Sequence, residues 1–167
     1  MTDQKAWATW LLQHGPAMLL LARQHVPSAA DAQDVVQDAF VRFWGARDRA
    51  ADATAYLFAC VRGSALDYRR AGARRDRREE SAAQPEVADG PLFVATRLEH
   101  AERQAAIEAA VAGLPEPQRE VLVLKIWAKL TFVQIGETLG IPHGTAASRY
   151  RYALGRLREQ LAEELIR

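Results

Sequence analysis

The stretch TFVQIGETLGIPHGTAASRYRYALGRLR, residues 131–158, reads as two helices around a sharp turn. Phe132, Ile135 and Leu139 recur at i, i+3 and i+7, the spacing of one buried helix face. Gly136 lies inside that first helix, where a side chain would obstruct the close approach of a second one. Gly140 suits a left-handed C-cap, and Pro142 sits early in the next helix, where a missing N–H does no harm. From there to Arg158 the chain carries four Arg (149, 151, 156, 158) and no acidic residue. An apolar side (Ala146, Tyr150, Ala153, Leu157) opposes a polar, cationic one (Ser148, Arg151, Tyr152, Arg158) that can meet a DNA groove. The competing account is an ordinary helical hairpin with a solvated basic face, so the rest of the chain must decide.

Outward from the hairpin, charge is segregated rather than abundant. The formal net charge of the 167-residue chain is only +1, so any attraction to nucleic acid must come from local clusters. Residues 62–78 hold seven Arg against Asp67 and Asp76, a balance of +5, while residues 31–38 hold three Asp and no base. Apolar residues make up 49% of the chain, ample for one domain or two small ones, which excludes disorder throughout. Cys60 is the only cysteine, so there is no intramolecular disulfide, and the four His are scattered without metal-ligand spacing. No metal and no cofactor is expected. The N-terminus lacks a signal-peptide pattern and no apolar run approaches about 18 residues, so no membrane insertion and a cytoplasmic location are expected.

Ala, Leu, Arg, Glu and Gln dominate and no segment alternates with period two, which predicts an all-α protein. A first helix is expected from about Asp3 to Gln13, interrupted at Gly15 and Pro16, with a second reaching His25. Asp31 is the expected N-cap of a helix running to Trp44, and a further helix spans Ala53 to Arg70 and trails onward. Residues 79–96, with two Pro and one Gly, read as a linker. This gives two small helical domains, 1–78 and 97–167, the second containing the helix-turn-helix.

On the helix from Asp31 to Trp44, Val36, Phe40 and Phe43 form an inward stripe, leaving Asp31, Asp34, Gln37, Asp38 and Val41 outside. Mixed acidic and apolar side chains beside Trp44 suit a protein interface; a helix dipole explains Asp31 and Asp34 equally well, but not Asp38. In the next helix Tyr56, Leu57, Cys60, Val61 and Leu66 supply a core. That leaves Arg62, Ser64, Tyr68, Arg69, Arg74 and Arg75 outward. Guanidinium groups interleaved with a ring match single-stranded nucleic acid, with a solvated basic helix end as the rival account.

The order DAQDVVQDAFVRFW, AYLFACVRGSALDYRRAGARR, linker, then LPEPQREVLVL and TFVQIGETLGIPHGTAASR resembles bacterial sigma factors of the extracytoplasmic-function group, over nearly the whole chain. The resemblance implies a non-enzymatic protein that binds core RNA polymerase and directs it to promoter DNA, with an anti-sigma factor as a candidate partner. It implies polymerase contacts at Asp34, Gln37, Asp38, Val41 and Trp44. It implies -10 contacts at Arg62, Ser64, Tyr68, Arg69, Arg70, Arg74 and Arg75, and -35 contacts at Thr145, Ser148, Arg149, Arg151, Tyr152 and Arg156. Departures from the usual pattern stand at Gly63, Gly136 and Ala147. The alternatives are a stand-alone helix-turn-helix regulator and an inactive sigma-like interaction module. Two domains on such a linker can also collapse together, basic faces against the acidic helix.

Overall fold

The computed structural model describes residues 3–78 and 101–166, and the expected linker lies outside them. Seven α-helices are described: α1 (Asp3–Arg23), α2 (Ala29–Ala46), α3 (Ala53–Arg78), α4 (Ala101–Ala112), α5 (Glu116–Ile126), α6 (Phe132–Leu139) and α7 (His143–Ile166). The all-α expectation holds, with corrections at three helix ends.

The two expected N-terminal helices are one, because Pro16 is accommodated inside α1. A proline inside a helix removes the bond to the carbonyl four residues back and crowds that carbonyl with its ring. Here that carbonyl belongs to Leu12, which is 83% exposed, so water can replace the lost donor. The N-cap of α2 is Ser28, not Asp31: the Ser28 hydroxyl accepts from the Asp31 N–H at 3.0 Å. Asp31 thereby sits in the first turn, where its charge favours the helix dipole. The helix α3 runs eight residues past Arg70, to Arg78.

Phe40, Phe43, Phe58, Met18, Leu21, Leu57 and Val61 are fully buried between α1, α2 and α3. Around them Trp7 meets Phe40 edge-on at 4.2 Å and Trp10 meets Phe43 at 5.1 Å, arrangements worth about 0.5–1.5 kcal/mol each beyond area burial. Trp7 and Trp10 remain half-buried and Leu11 is exposed, so α1 buries less of its first turns than its sequence suggests.

The second half builds on α5. Four consecutive residues, Val121 to Leu124, are all fully buried, which requires neighbours on every side of the helix. Leu122 joins Val111, Leu114 and Ala153 in a core shared with α4 and α7. Val121, Val123 and Leu124, with Leu130, Ile135 and Ala146, instead join the core of α1–α3. The two halves therefore share one apolar interior, with α1 against α5 and α3 against α6.

Candidate nucleic-acid and partner interfaces

The helix-turn-helix is held by devices written into its sequence. The Thr131 hydroxyl accepts from the Gln134 N–H at 3.1 Å while Gln134 Oε1 accepts from the Thr131 N–H at 2.9 Å, a reciprocal capping box that starts α6. Gly140 ends it at φ 68°, a conformation that favours glycine. A Cβ on Gly136 would stand 2.7 Å from the Ile141 carbonyl oxygen, so the turn closes only around a bare α-carbon. Ala146 and Ala153 pack α7 inward. That orientation leaves Arg151, Tyr152 and Arg156 exposed, Tyr152 by 68%, with Thr145, Ser148 and Arg149 half-exposed beside them.

On α2, Asp34, Gln37 and Val41 stand exposed on one face, Val41 by 61%. Asp38 shares the face but is committed to the α2–α3 contact: its Oδ2 accepts from Ser64 Oγ at 3.0 Å and pairs with Arg42 at 3.0 Å. Trp44 is half-buried, stacked on Phe40 at 5.9 Å, with the Arg47 guanidinium 3.7 Å over its ring. Much of its surface caps the core rather than facing outward.

The basic helix α3 departs most from expectation. Ser64 is buried, donating to Asp38, because position 64 falls on the stripe that packs against α2. The Tyr68 hydroxyl donates to Asp31 Oδ1. That bond holds the Asp31 carboxyl below its usual range and lifts the Tyr68 hydroxyl above its own. Arg70, Arg74 and Arg75 are exposed, Arg70 pairing with Asp67 at 3.2 Å. Arg62, half-buried, and Arg69, still exposed, both reach to α5. Arg62 Nε donates to Glu120 Oε1 at 2.7 Å, and Arg69 makes a two-pronged pair with Glu116 at 2.8 and 3.3 Å.

Two arginines of the α3 face, Arg62 and Arg69, are thus engaged, by the acids of α5 and not by the acidic helix α2, while Arg70, Arg74 and Arg75 and the basic face of α7 stay exposed. Sequence reasoning passed over Glu116, Glu120 and His25. The signal was present: two Glu spaced i, i+4 on a helix whose apolar residues occupy both flanks. Two further bonds close the contact, Gln134 Nε2 to Asp52 Oδ2 at 3.0 Å and Thr138 Oγ1 to the Ala55 carbonyl at 3.2 Å. Asp52 simultaneously caps α3 through the Ala55 N–H at 2.9 Å.

His25, Glu116 and Glu120 bring potential metal-ligating atoms within 4.8 Å of one another. The arrangement fits ion pairing better than a metal. Nε2 faces Glu120 at 2.8 Å and Nδ1 faces Glu116 at 3.6 Å, on opposite edges of one ring, and each carboxylate already holds a guanidinium.

With this geometry in place, the comparisons are specific. The family models for sigma-70 region 2 and sigma-70 region 4 match residues 10–75 and 110–159. The RNA polymerase sigma-E factor of Streptomyces avermitilis is 34% identical over 148 residues, 87% of this chain and 79% of the relative. The ECF RNA polymerase sigma factor SigL of Mycobacterium tuberculosis is 31% identical over 157 residues, 90% and 86% of the two chains. The sigma factor RpoE of Bartonella quintana, solved with the anti-sigma factor NepR, shares the fold with a TM-score of 0.71 at 24% identity, covering 95% of this chain and 98% of that one. The chain belongs to the sigma-70 family, as a sigma factor of the extracytoplasmic-function group. Proteins of this class bind core RNA polymerase and direct it to promoters. Among the described residues no helix is long and apolar enough to cross a membrane.

Proposed function

We propose that promoter recognition by this sigma factor is divided among three surfaces. The strip Asp34, Gln37 and Val41 on α2, with Asp38 and Trp44 at its edges, docks core polymerase through mixed acidic and apolar contact. The basic face of α3, from Arg62 through Tyr68 and Arg69 to Arg75, takes the -10 element as a single strand, phosphates on guanidinium groups and a base on the ring. The exposed face of α7 enters the major groove at the -35 element: Arg151 and Arg156, with Arg149, meet phosphates, and Thr145, Ser148 and Tyr152 meet base edges.

The observation that carries this reading is the position of α7, whose Arg151, Tyr152 and Arg156 stand clear of the rest of the molecule while Gly136 and Gly140 fix the angle at which it is offered. Boundaries at 1–78, 79–96 and 97–167 divide the chain into the two recognition units and the segment between them. The chemistry of RNA synthesis belongs to the polymerase, and the chain works beside it in the cytoplasm. An anti-sigma factor is proposed as a further partner, in keeping with the complex solved for the Bartonella quintana relative.

Transcription with purified core polymerase tests the reading. The chain should confer initiation at discrete promoters, with mapped starts sharing upstream -35 and -10 sequences. Core binding without any promoter-directed transcript would instead identify an inactive interaction module.

A further inference from the structure

Asp31 belongs to none of the surfaces assigned above, yet it holds a member of one of them. Its Oδ1 accepts from the Tyr68 hydroxyl across the α2–α3 contact, from 37 residues away in sequence. Both residues are half-buried, and the Tyr68 ring packs in part against the core of α1–α3. The carboxylate is free for this contact because the Asp31 N–H, not its side chain, makes the helix cap with the Ser28 hydroxyl at 3.0 Å. Around the pair, Arg75 lies near enough to act on both groups and Asp34 near enough to act on Tyr68.

A tyrosine on a helix surface turns about two side-chain bonds, so an untethered ring offers its face to a ligand only part of the time. Anchoring the hydroxyl removes that freedom. An ionised acceptor makes the stronger class of hydrogen bond, and this one ties the far end of the ring to a neighbouring helix. A phenol has one proton to donate, and here it goes to Asp31. A base meeting Tyr68 is therefore offered the ring face and not that proton, which is contact by stacking, tolerant of base identity. We propose that Asp31 is a positioning residue for the -10 strand: it holds the Tyr68 ring in the orientation on which an unstacked base lies. This rests on the assignment of Tyr68 to the single strand. The rival account is a tie between helices that stabilises the fold and does nothing more.

The test uses the chain bound to purified core polymerase and a single-stranded oligonucleotide spanning the -10 sequence of a promoter from which that complex initiates. Tyr68→Ala should weaken binding at least about fivefold, the lower end of what one base stacked on a ring contributes. Asp31→Ala, which leaves the ring in place but unanchored, should weaken it about two- to tenfold, the cost of ordering one side chain on binding. Asp31→Asn keeps an acceptor at the same place and should recover most of that loss. Tyr68→Phe cuts the same bond from the other side, so Asp31→Ala should weaken binding no further in that background; whatever it changes there measures only the removed negative charge.

An abasic site placed at each position of the oligonucleotide in turn supplies a readout that a structural tie would not move. One position at which it weakens wild type should be silent in Tyr68→Ala and intermediate in Asp31→Ala. An equal loss on Asp31→Ala in the two backgrounds, with the wild-type response to that abasic site retained, would overturn the positioning role and leave the structural tie. If Tyr68→Ala itself binds as wild type does, with helicity by circular dichroism intact, the assignment of Tyr68 to the strand fails and the inference fails with it.

Discussion

Arg62 on α3 and Glu120 on α5, 58 residues apart in sequence, are joined by a 2.7 Å bond from the guanidinium Nε to a carboxylate that is almost wholly buried. Removing one partner of a buried ion pair leaves the other charge uncompensated, at a cost of about 3–5 kcal/mol. Arg62 keeps some access to solvent, so Glu120→Ala should fall near the low end, about 3 kcal/mol, measured as a drop in Tm. The pair also has an acid limit: burial raises the Glu120 carboxyl, but its contacts with His25 and Arg62 outweigh burial and hold it below its ordinary value. A carboxylate held below its ordinary value contributes stability that is present above that value, about 4.3, and is lost as pH falls through the lower one. Acid unfolding should therefore be shallower in Glu120→Gln than in wild type.

Gly136→Ala should destabilise the helix-turn-helix by about 1–3 kcal/mol. The clash is between a new Cβ and the Ile141 backbone oxygen at 2.7 Å, so no side-chain rotation relieves it. Differential scanning calorimetry with an unchanged Tm would contradict this close approach.

The polymerase surface is tested most cleanly away from Asp38, whose carboxylate also holds Ser64 and Arg42. Asp34→Arg with Val41→Glu should weaken binding to core at least tenfold, about 1.4 kcal/mol, with helicity by circular dichroism unchanged. Undiminished affinity in a helical double variant would remove α2 from the interface.

Arg151→Ala should lower affinity for a -35 duplex on every sequence and reduce the slope of log K against log salt by about 0.9, the value of one phosphate contact. Tyr152→Ala should instead change which sequences are preferred. An Arg151→Ala variant with the wild-type salt slope would mean that α7 presents a different face.

The hairpin was legible because each of its devices is local. Gly136 and Gly140 mark the turn, and the spacing of Ala146 and Ala153 shows which side of α7 is inward; the capping box of Thr131 and Gln134, equally local, was not read from the sequence. The α2 surface was legible for the same reason, with its apolar stripe at helical spacing leaving Asp34, Gln37 and Val41 outside. The misreadings involve partners far off in sequence. Ser64 looked outward until Asp38, 26 residues earlier, was brought beside it. Arg62 and Arg69 read as free cations because their carboxylates lie 58 and 47 residues away. His25 looked solitary for the same reason. Pro16 shows a different failure: propensity counts the lost bond, but not the solvent that takes its place.

This chain should read promoters only as part of the polymerase, since each recognition unit alone offers few phosphate contacts and the packing of α5 on α3 engages Arg62 and Arg69. Core polymerase would hold both units on one duplex and raise the effective concentration of the second contact. The most direct measurement is a promoter-binding titration at fixed salt, with the free chain and with the chain bound to core. The free chain should bind in the weak, sequence-independent range of about 10⁻⁴ to 10⁻⁶ M, and the complex should bind far more tightly with a requirement for both promoter elements. Tight, sequence-specific binding by the free chain would contradict the account and identify a stand-alone regulator.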